Sequence, residues 1–257
     1  MRRCVSVLTA FVTALLPLTG QVRDSSAFHW TQLIAPTVLM GSGLAVHYAA
    51  HDTWDVRIHD RLGDPDAKRF DFDDVAQYVP VTMAVGLKAC GVPSRHHLVD
   101  IMIETSISYL TLLAVSSAAK PAFHTLRPNG SNYRSFPSGH TMVSFTGAEL
   151  TRIEYGWGWG AGAYAVAGGV GFMRIRRNYH WFSDVLMGAG VGILCANVGR
   201  WLLPPVHRWL RVDSWNKDTM KPGWRRFLFD EKGAGVALVP VCDPFTGYYG
   251  ASFAIRF

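Results

Sequence analysis

Six apolar segments, each 16 to 22 residues long, follow one another between residues 32 and 203 of this 257-residue chain. They lie at 32–49, 76–92, 99–119, 138–153, 159–175 and 182–203. A helix needs about 20 mostly apolar residues to cross a bilayer, with a range near 17–25. Small residues recur in these segments, as in GAGAYAVAGGVG at 160–171, and such residues let membrane helices pack closely. The pattern predicts an all-α, polytopic membrane bundle of about six transmembrane helices.

The composition favours the same class of protein. Only 17% of the residues are charged, whereas soluble domains carry roughly 25%. The net charge is +6, but the basic residues are scattered among apolar and aromatic ones and form no nucleic-acid motif, so we expect no nucleic-acid partner. The four cysteines lie far apart without a CxxC spacing, which indicates neither a disulfide framework nor a zinc site.

The two ends of the chain differ from its centre. MRR followed by an apolar run predicts a signal peptide or a short anchor at 1–20. The membrane domain is expected at 28–203, and a tail follows at 204–257. Within the tail, GVALVPV and YYGASFAIRF alternate in strand fashion around a turn sequence, which predicts a short β-hairpin.

The distribution of charge bears on topology. The stretch 50–75 holds eight Asp against four Arg or Lys, as in an exported loop, whereas nine basic residues against five acidic ones follow from residue 200 onward. The positive-inside rule therefore predicts a cytoplasmic tail. A cleaved leader followed by six crossings would instead leave the tail outside, so the sequence supports two incompatible topologies.

Three polar clusters interrupt the apolar segments. They are KPAFHTLRP with Lys120 and Arg127, PSGH with Ser138, Gly139 and His140, and RIRRNYHWFSD with Arg174, His180 and Asp184. Taken singly, each residue has a structural explanation, such as a lysine or arginine that anchors a helix end. Ionisable residues near membrane depth are costly, however, and usually face a cavity or a partner. Together, two arginines and a lysine predict an anion site, because guanidinium groups bind phosphate oxygens in pairs.

The spacing within these clusters predicts how the anion is handled. Pro137-Ser138-Gly139 is typical of a helix start, where free backbone N–H groups and the positive helix end bind anions. His180 and Asp184 are four residues apart, which on a helix places them on one face. The carboxylate would fix the tautomer of His180 and leave its other nitrogen free to attack, while His140 could protonate the leaving alkoxide.

These residues resemble the pattern K-x6-RP, PSGH and R-x5-H-x3-D of the type 2 phosphatidic acid phosphatases (PAP2), which share a superfamily with vanadium haloperoxidases. The signature spans residues 120–184, and the six-segment layout extends the resemblance to about 28–203. One departure is Met173, where the family usually has Ser before the Arg.

The resemblance implies a role for each matching residue. His180 would form a phosphohistidine, Asp184 would orient it, and His140 would act as the acid and then help activate water. The phosphoryl group would be bound by Lys120, Arg127, Ser138, Gly139 and Arg174. The family needs no metal or other cofactor, and the sequence shows no carboxylate cluster.

By the same resemblance, the expected function is a membrane phosphatase for a lipid phosphate or pyrophosphate, in the bacterial inner membrane with its site facing the periplasm. Lipid A or undecaprenyl pyrophosphate is the preferred substrate, and phosphatidylglycerol phosphate or phosphatidic acid is the alternative. A vanadate haloperoxidase is a second hypothesis, although such relatives are soluble. A non-catalytic lipid-phosphate binder or transporter is a third, disfavoured because His180 and Asp184 are both present.

Other polar residues are predicted to lie outside the phosphate site. Arg176 and Arg177 are expected at the surface or against headgroups, and His96 and His97 in a short cytoplasmic turn. The Asp-rich stretch 60–74 lacks the ordered ligand spacing of a calcium loop. We expect it to be a solvated loop that can fold over the site.

Overall fold

The computed structural model describes residues 28–64, 67 and 72–210, together with the backbone of two strands at 235–243 and 248–256. The predicted leader at 1–20 lies outside these residues. A 3₁₀ turn at Trp30–Leu33 and a π-helical turn at His51–Asp55 precede the first two α-helices. The α-helices are α1 (Ile34–Ala49), α2 (Val56–Leu62), α3 (Phe72–Ala76), α4 (Val79–Ala89), α5 (Leu98–Phe123), α6 (Gly139–Arg176) and α7 (Phe182–Trp209).

Helix α7 is the centre of the bundle. It packs against α1, α5 and α6, while α4 packs against α6. In the most apolar stretch of 18 consecutive residues, 72% of the α7 residues are buried, compared with 22% of the α5 residues. Glycines permit the close contact between α6 and α7: a Cβ at Gly188 would lie 2.8 Å from the carbonyl oxygen of Ser138, and one at Gly192 would lie 2.6 Å from that of Met142.

Helix α6 contains a break at Gly156. This residue has φ 77° and ψ −173°, a backbone conformation that residues other than glycine rarely adopt. The break separates residues 139–155 from 157–176, which correspond to the fourth and fifth predicted apolar segments. All six predicted segments therefore lie in helices, and the two inside α6 are joined by one glycine.

The helices run alternately up and down. At one end of the bundle the Trp201 indole donates a 2.7 Å hydrogen bond to Gln32, whereas Gly43 of α1 touches Met187 of α7 nearer the other end. We call that second end the loop end. It comprises the connections at 50–64, 72–78, 124–138 and 177–181, and the opposite end is the far end. Contacts such as Asp64 N–H to Arg176 C=O, 2.7 Å, join these connections.

The helices also bear on the membrane prediction. Among the described residues, α5 and α7 are each long and apolar enough to cross a bilayer. The segments Trp30–Ala49 and His51–Leu62 would together provide a third span, bent by 99°, and Val79–Ala89 is a shorter apolar helix. The all-α membrane bundle is thus confirmed, and the number of six crossings stays a prediction.

Beyond the bundle, β1 (Gly235–Asp243) and β2 (Tyr248–Arg256) form an antiparallel pair. Gly235 lies opposite Arg256, and Asp243 lies opposite Tyr248. The strands occupy the two stretches in which the sequence alternates. The pairing satisfies the backbone groups of each strand along one edge.

Candidate active site

The loop end brings together three ends of two long helices, α5 and α6. Lys120 lies in the last turn of α5, His140 in the first turn of α6, and Arg174 in its last turn. A Cβ built on Gly139 would lie 3.4 Å from the Lys120 ammonium nitrogen, so the lysine faces the start of α6. Residues distant in sequence therefore meet because consecutive helices of an up-and-down bundle end on the same side.

The pair His180 and Asp184 is formed, but not as two positions on one helix. His180 precedes α7, which begins at Phe182, so the prediction of a shared helix face was wrong. Asp184 instead reaches back as a helix cap and accepts a 2.8 Å hydrogen bond from the Trp181 N–H. The same carboxylate oxygen lies 3.3 Å from His180 Nδ1. Both side chains are buried, and Nε2 is the ring nitrogen that the carboxylate does not engage.

The start of α6 has the predicted form of an anion-binding turn. Ser138 is the N-cap, Gly139 is the first helical residue, and the peptide bond before Pro137 is cis. The Ser138 N–H donates to the Asp184 carbonyl oxygen, 3.1 Å, which ties the start of α6 to α7. The backbone N–H groups of Gly139 and His140 have no acceptor within the helix, since they belong to its first turn. They can therefore bind an anion.

Arg127 and Arg174 lie on the ring of Tyr179. The guanidinium carbon of Arg174 is 4.2 Å from the ring centroid and that of Arg127 is 6.0 Å from it. Such cation–π contact holds a guanidinium in place without occupying its hydrogen-bond donors. Tyr179 was not among the predicted residues, although its position next to His180 in the motif could have drawn attention to it.

The electrostatic surroundings of His180 show that the predicted cationic groups converge. Burial is the largest cause that lowers the pKa of His180 well below 6.5. The charges of four further groups lower it as well, in the order Arg174, Arg127, His140 and Lys120. A histidine in these surroundings is neutral at ordinary pH, which is the form that can act as a nucleophile.

Two aspartates of the acidic stretch also lie at the site. Asp73 is fully buried and accepts a 2.7 Å hydrogen bond from Arg174 and another from Arg177. Burial alone would raise the pKa of Asp73, but the hydrogen bond from Arg174 and the charges of both arginines outweigh it and keep that pKa below its ordinary value. Asp74 lies 2.7 Å from His140 Nε2 and 3.4 Å from Arg174. The end of the stretch that the structure describes, Asp73 and Asp74, thus lies at the site.

The placement of the neighbouring arginines corrects one prediction. Arg176 is partly exposed and contacts Asp64 at 3.2 Å, in agreement with a surface position. Arg177, predicted at the surface or against headgroups, is instead 1% exposed because its guanidinium is paired with Asp73. Sequence spacing could not distinguish these adjacent arginines, because only the folded acidic stretch provides the buried partner.

Two further polar residues support α7 and were not predicted. Ser135 donates a 2.5 Å hydrogen bond to the carboxylate of Asp184. Asp55 accepts hydrogen bonds from the Ser183 N–H, 2.8 Å, and its hydroxyl, 2.7 Å, and is fully buried. A carboxylate at the N-terminus of α7 also interacts favourably with the helix dipole. No sequence spacing indicates either contact, because Ser135 and Asp55 each lie at least 49 residues from the residue that they contact.

A second polar cluster lies at the far end. Ligand atoms of His96, Glu104 and Glu154 lie within 4.8 Å of one another, an arrangement that could hold a metal ion. The prediction that the chain has no carboxylate cluster was therefore wrong, because α6 brings Glu154 to the start of α5. Along α5, Glu104 and Lys120 are separated by about 24 Å at 1.5 Å per residue, so the cluster is remote from the residues that are predicted to bind phosphate.

The fold and the loop-end residues define a membrane α-bundle in which two arginines and a lysine lie around a buried histidine. Residues 103–208 match the PAP2 superfamily model. The predicted resemblance is confirmed.

Similarity to individual proteins is more limited in extent. Over 141 residues the chain is 36% identical to a lipid A 1-phosphatase of Porphyromonas gingivalis. That match covers 53% of this chain and 32% of the relative, so the chain spans about a third of the relative's length. The crystal structure of Aquifex aeolicus LpxE aligns with a TM-score of 0.44 and 20% identity, over 56% of this chain and 93% of the other.

Proposed function

We propose that this protein is a membrane phosphatase that hydrolyses a lipid phosphate or pyrophosphate through a phosphohistidine on His180. The observation that carries the proposal is the environment of His180, which is buried beside Asp184 among the positive charges of Lys120, Arg127 and Arg174. Such an environment keeps the imidazole neutral and attracts an anion. An anion site built around a neutral, carboxylate-oriented histidine is suited to nucleophilic attack on phosphorus.

In the proposed reaction, the cationic groups and the start of α6 hold the phosphoryl oxygens. Nε2 of His180 attacks phosphorus, and the bond from phosphorus to the lipid oxygen breaks. His140 donates a proton to that departing oxygen and becomes neutral. Water then attacks the phosphohistidine and gives a proton to His140, while the phosphorus–nitrogen bond breaks and its electron pair returns to His180. Inorganic phosphate leaves, and both histidines regain their starting forms.

For the substrate we propose the phosphorylated sugar of a lipid A-type glycolipid. The named relative is a lipid A 1-phosphatase, which supports this choice over the phosphoglycerides. A cavity of about 430 Å³ next to the phosphate-binding residues supports it as well. Its lining includes Lys120, His124, Tyr133 and Arg134. The rings of His124 and Tyr133 stack at 4.7 Å, and such a ring pair beside two cations suits a sugar that carries an anionic group.

We also propose that the site faces the periplasm from the inner membrane. Asp73 and Asp74, at the end of the Asp-rich stretch, contact the site, and the acidic excess of that stretch in the sequence is typical of an exported loop. Because α7 runs from the site to the far end, the basic tail begins on the opposite, cytoplasmic side. Trp30–Leu33 lies at the far end too, so the proposal places Trp30 on the same side of the membrane as the end of α7.

Phosphate release from detergent-purified protein tests the catalytic proposal. The substrates are lipid A, undecaprenyl pyrophosphate, phosphatidylglycerol phosphate and phosphatidic acid, each with EDTA present. We expect release by the wild type, none by His180→Ala, and the highest kcat/KM for lipid A. The Arg134→Gln variant should lose activity on lipid A more than on phosphatidic acid. No release by folded wild type from any lipid would contradict the proposed activity and favour a non-catalytic binder.

Topology is tested separately in a cysteine-free background. A cysteine at exposed Ser131, in the connection 124–138, should react with a membrane-impermeant maleimide added to cells with a permeabilised outer membrane. A cysteine at exposed Arg208, at the end of α7, should react only after lysis. The reverse pattern would place the site in the cytoplasm.

A further inference from the structure

Each of the two site histidines has its own aspartate partner. Asp184 lies beside His180 in the same motif, whereas Asp74 comes from α3, 66 residues before His140. The distance from Asp74 to His140 Nε2 is 2.7 Å, shorter than the 3.3 Å of the motif pair. His140, the proposed acid, therefore contacts a carboxylate that lies outside the sequence motif.

This contact selects the nitrogen of His140 that can exchange a proton with the substrate. A carboxylate only accepts hydrogen bonds, so the bonded Nε2 carries a hydrogen and Nδ1 is left for the leaving oxygen. The titratable groups that face His140 are Arg174, Asp73, Asp74 and the neutral His180. Burial and Arg174 both disfavour the imidazolium, whereas the two aspartates favour it. Asp74, in direct contact, therefore acts against surroundings that otherwise keep His140 neutral.

The adjacent aspartates Asp73 and Asp74 make their short contacts with different residues. Asp73 is fully buried and provides the 2.7 Å partner of Arg174, together with a contact to Arg177. The side chain of Asp74 is 52% exposed, and its distance to Arg174 is the longer one of 3.4 Å. The short contact of Asp74 is the one to His140. Its placement is thus explained by the histidine rather than by the packing of the arginines.

We propose that Asp74 is a positioning residue that orients His140 as the proton donor to the leaving group. This inference rests on the proposed phosphatase function. It extends the site to Asp74 in α3 and makes the contact between Asp74 and His140 a condition for efficient proton transfer. Asp74 itself contacts no reacting atom in this scheme.

The test compares Asp74→Ala and Asp74→Glu with the wild type on two kinds of substrate. Lipid alkyl phosphates require a protonated leaving group, whereas p-nitrophenyl phosphate releases a stable anion without one. Asp64→Ala is the matched control, because Asp64 is in the same stretch but contacts the partly exposed Arg176. Rates are measured as kcat and KM across pH, and circular dichroism checks folding.

We expect Asp74→Ala to lower kcat on the lipid substrate by roughly 10- to 100-fold, since general acid catalysis contributes about 10²- to 10⁴-fold. The loss on p-nitrophenyl phosphate should be small, the alkaline limb of the lipid profile should move to lower pH, and Asp74→Glu should restore part of the rate. Asp64→Ala should match the wild type.

An equal loss on both substrates would overturn the inference and assign Asp74 to phosphate binding. Higher activity or a lower KM in Asp74→Ala would also overturn it and make Asp74 an anion that competes with substrate. Inactive wild type would instead contradict the proposed function itself, so the two failures are distinguishable.

Discussion

The buried pair between Asp73 and the two arginines should dominate the stability of the loop end. Asp73→Asn keeps the shape of the side chain but removes the negative charge that Arg174 and Arg177 share, and Arg174 keeps only its longer, 3.4 Å contact to Asp74. Breaking one partner of a buried ion pair typically costs about 3–5 kcal/mol. The pair of Asp64 and Arg176 is 38% and 47% exposed, and such surface pairs contribute only about 0–1 kcal/mol. Asp64→Asn is therefore the natural control.

Thermal unfolding of the two variants in the same detergent measures the difference. Asp73→Asn should lower the melting temperature far more than Asp64→Asn does. Inhibition by inorganic phosphate gives a second measurement, since a displaced Arg174 should weaken phosphate binding in Asp73→Asn alone. Equal melting temperatures for the two variants would refute the argument, because they would show that the buried carboxylate contributes no more than the exposed one.

Three further predictions concern the histidine pair and the break in α6. The proposed nucleophile His180 attacks only when neutral, and its pKa lies well below 6.5, so the acid limb of the kcat/KM profile should also lie well below pH 6.5. Arg174→Gln removes a charge that lowers the pKa of His180, so this variant should have its acid limb at higher pH than the wild type. A wild-type acid limb above pH 6.5 would contradict the reasoning. Asp184→Asn should lower kcat by about 10²- to 10⁴-fold with little change in KM, measured by steady-state kinetics, because the tautomer is lost; unchanged kcat would exclude that role. Gly156→Ala should destabilise by about 1–3 kcal/mol, whereas Gly162→Ala, in regular helix, should not; equal melting curves would show that the positive φ is not strained in alanine.

Much of the architecture was predictable because it depends on local pattern. Apolar runs of membrane length predict helices wherever they occur, and all six lie in helices here. The start of α6 was predictable at Ser138 and Gly139, since capping depends on the residues that form the turn. The motif residues meet because short connections in a bundle bring successive helix ends to one side. The break at Gly156 was visible only as a gap between two apolar segments.

The tertiary structure decided the contacts between residues that are far apart in sequence. Asp73, Asp74 and Ser135 join the site from connections whose composition is typical of any solvated loop, so no periodicity distinguishes them. The burial of Arg177, the exposure of Arg176 and the cap that joins Asp184 to His180 follow from packing around α7. Sequence alone determined which residues could do the chemistry. The fold determined which carboxylate holds each arginine and histidine, because that choice depends on how loops close over the ends of helices.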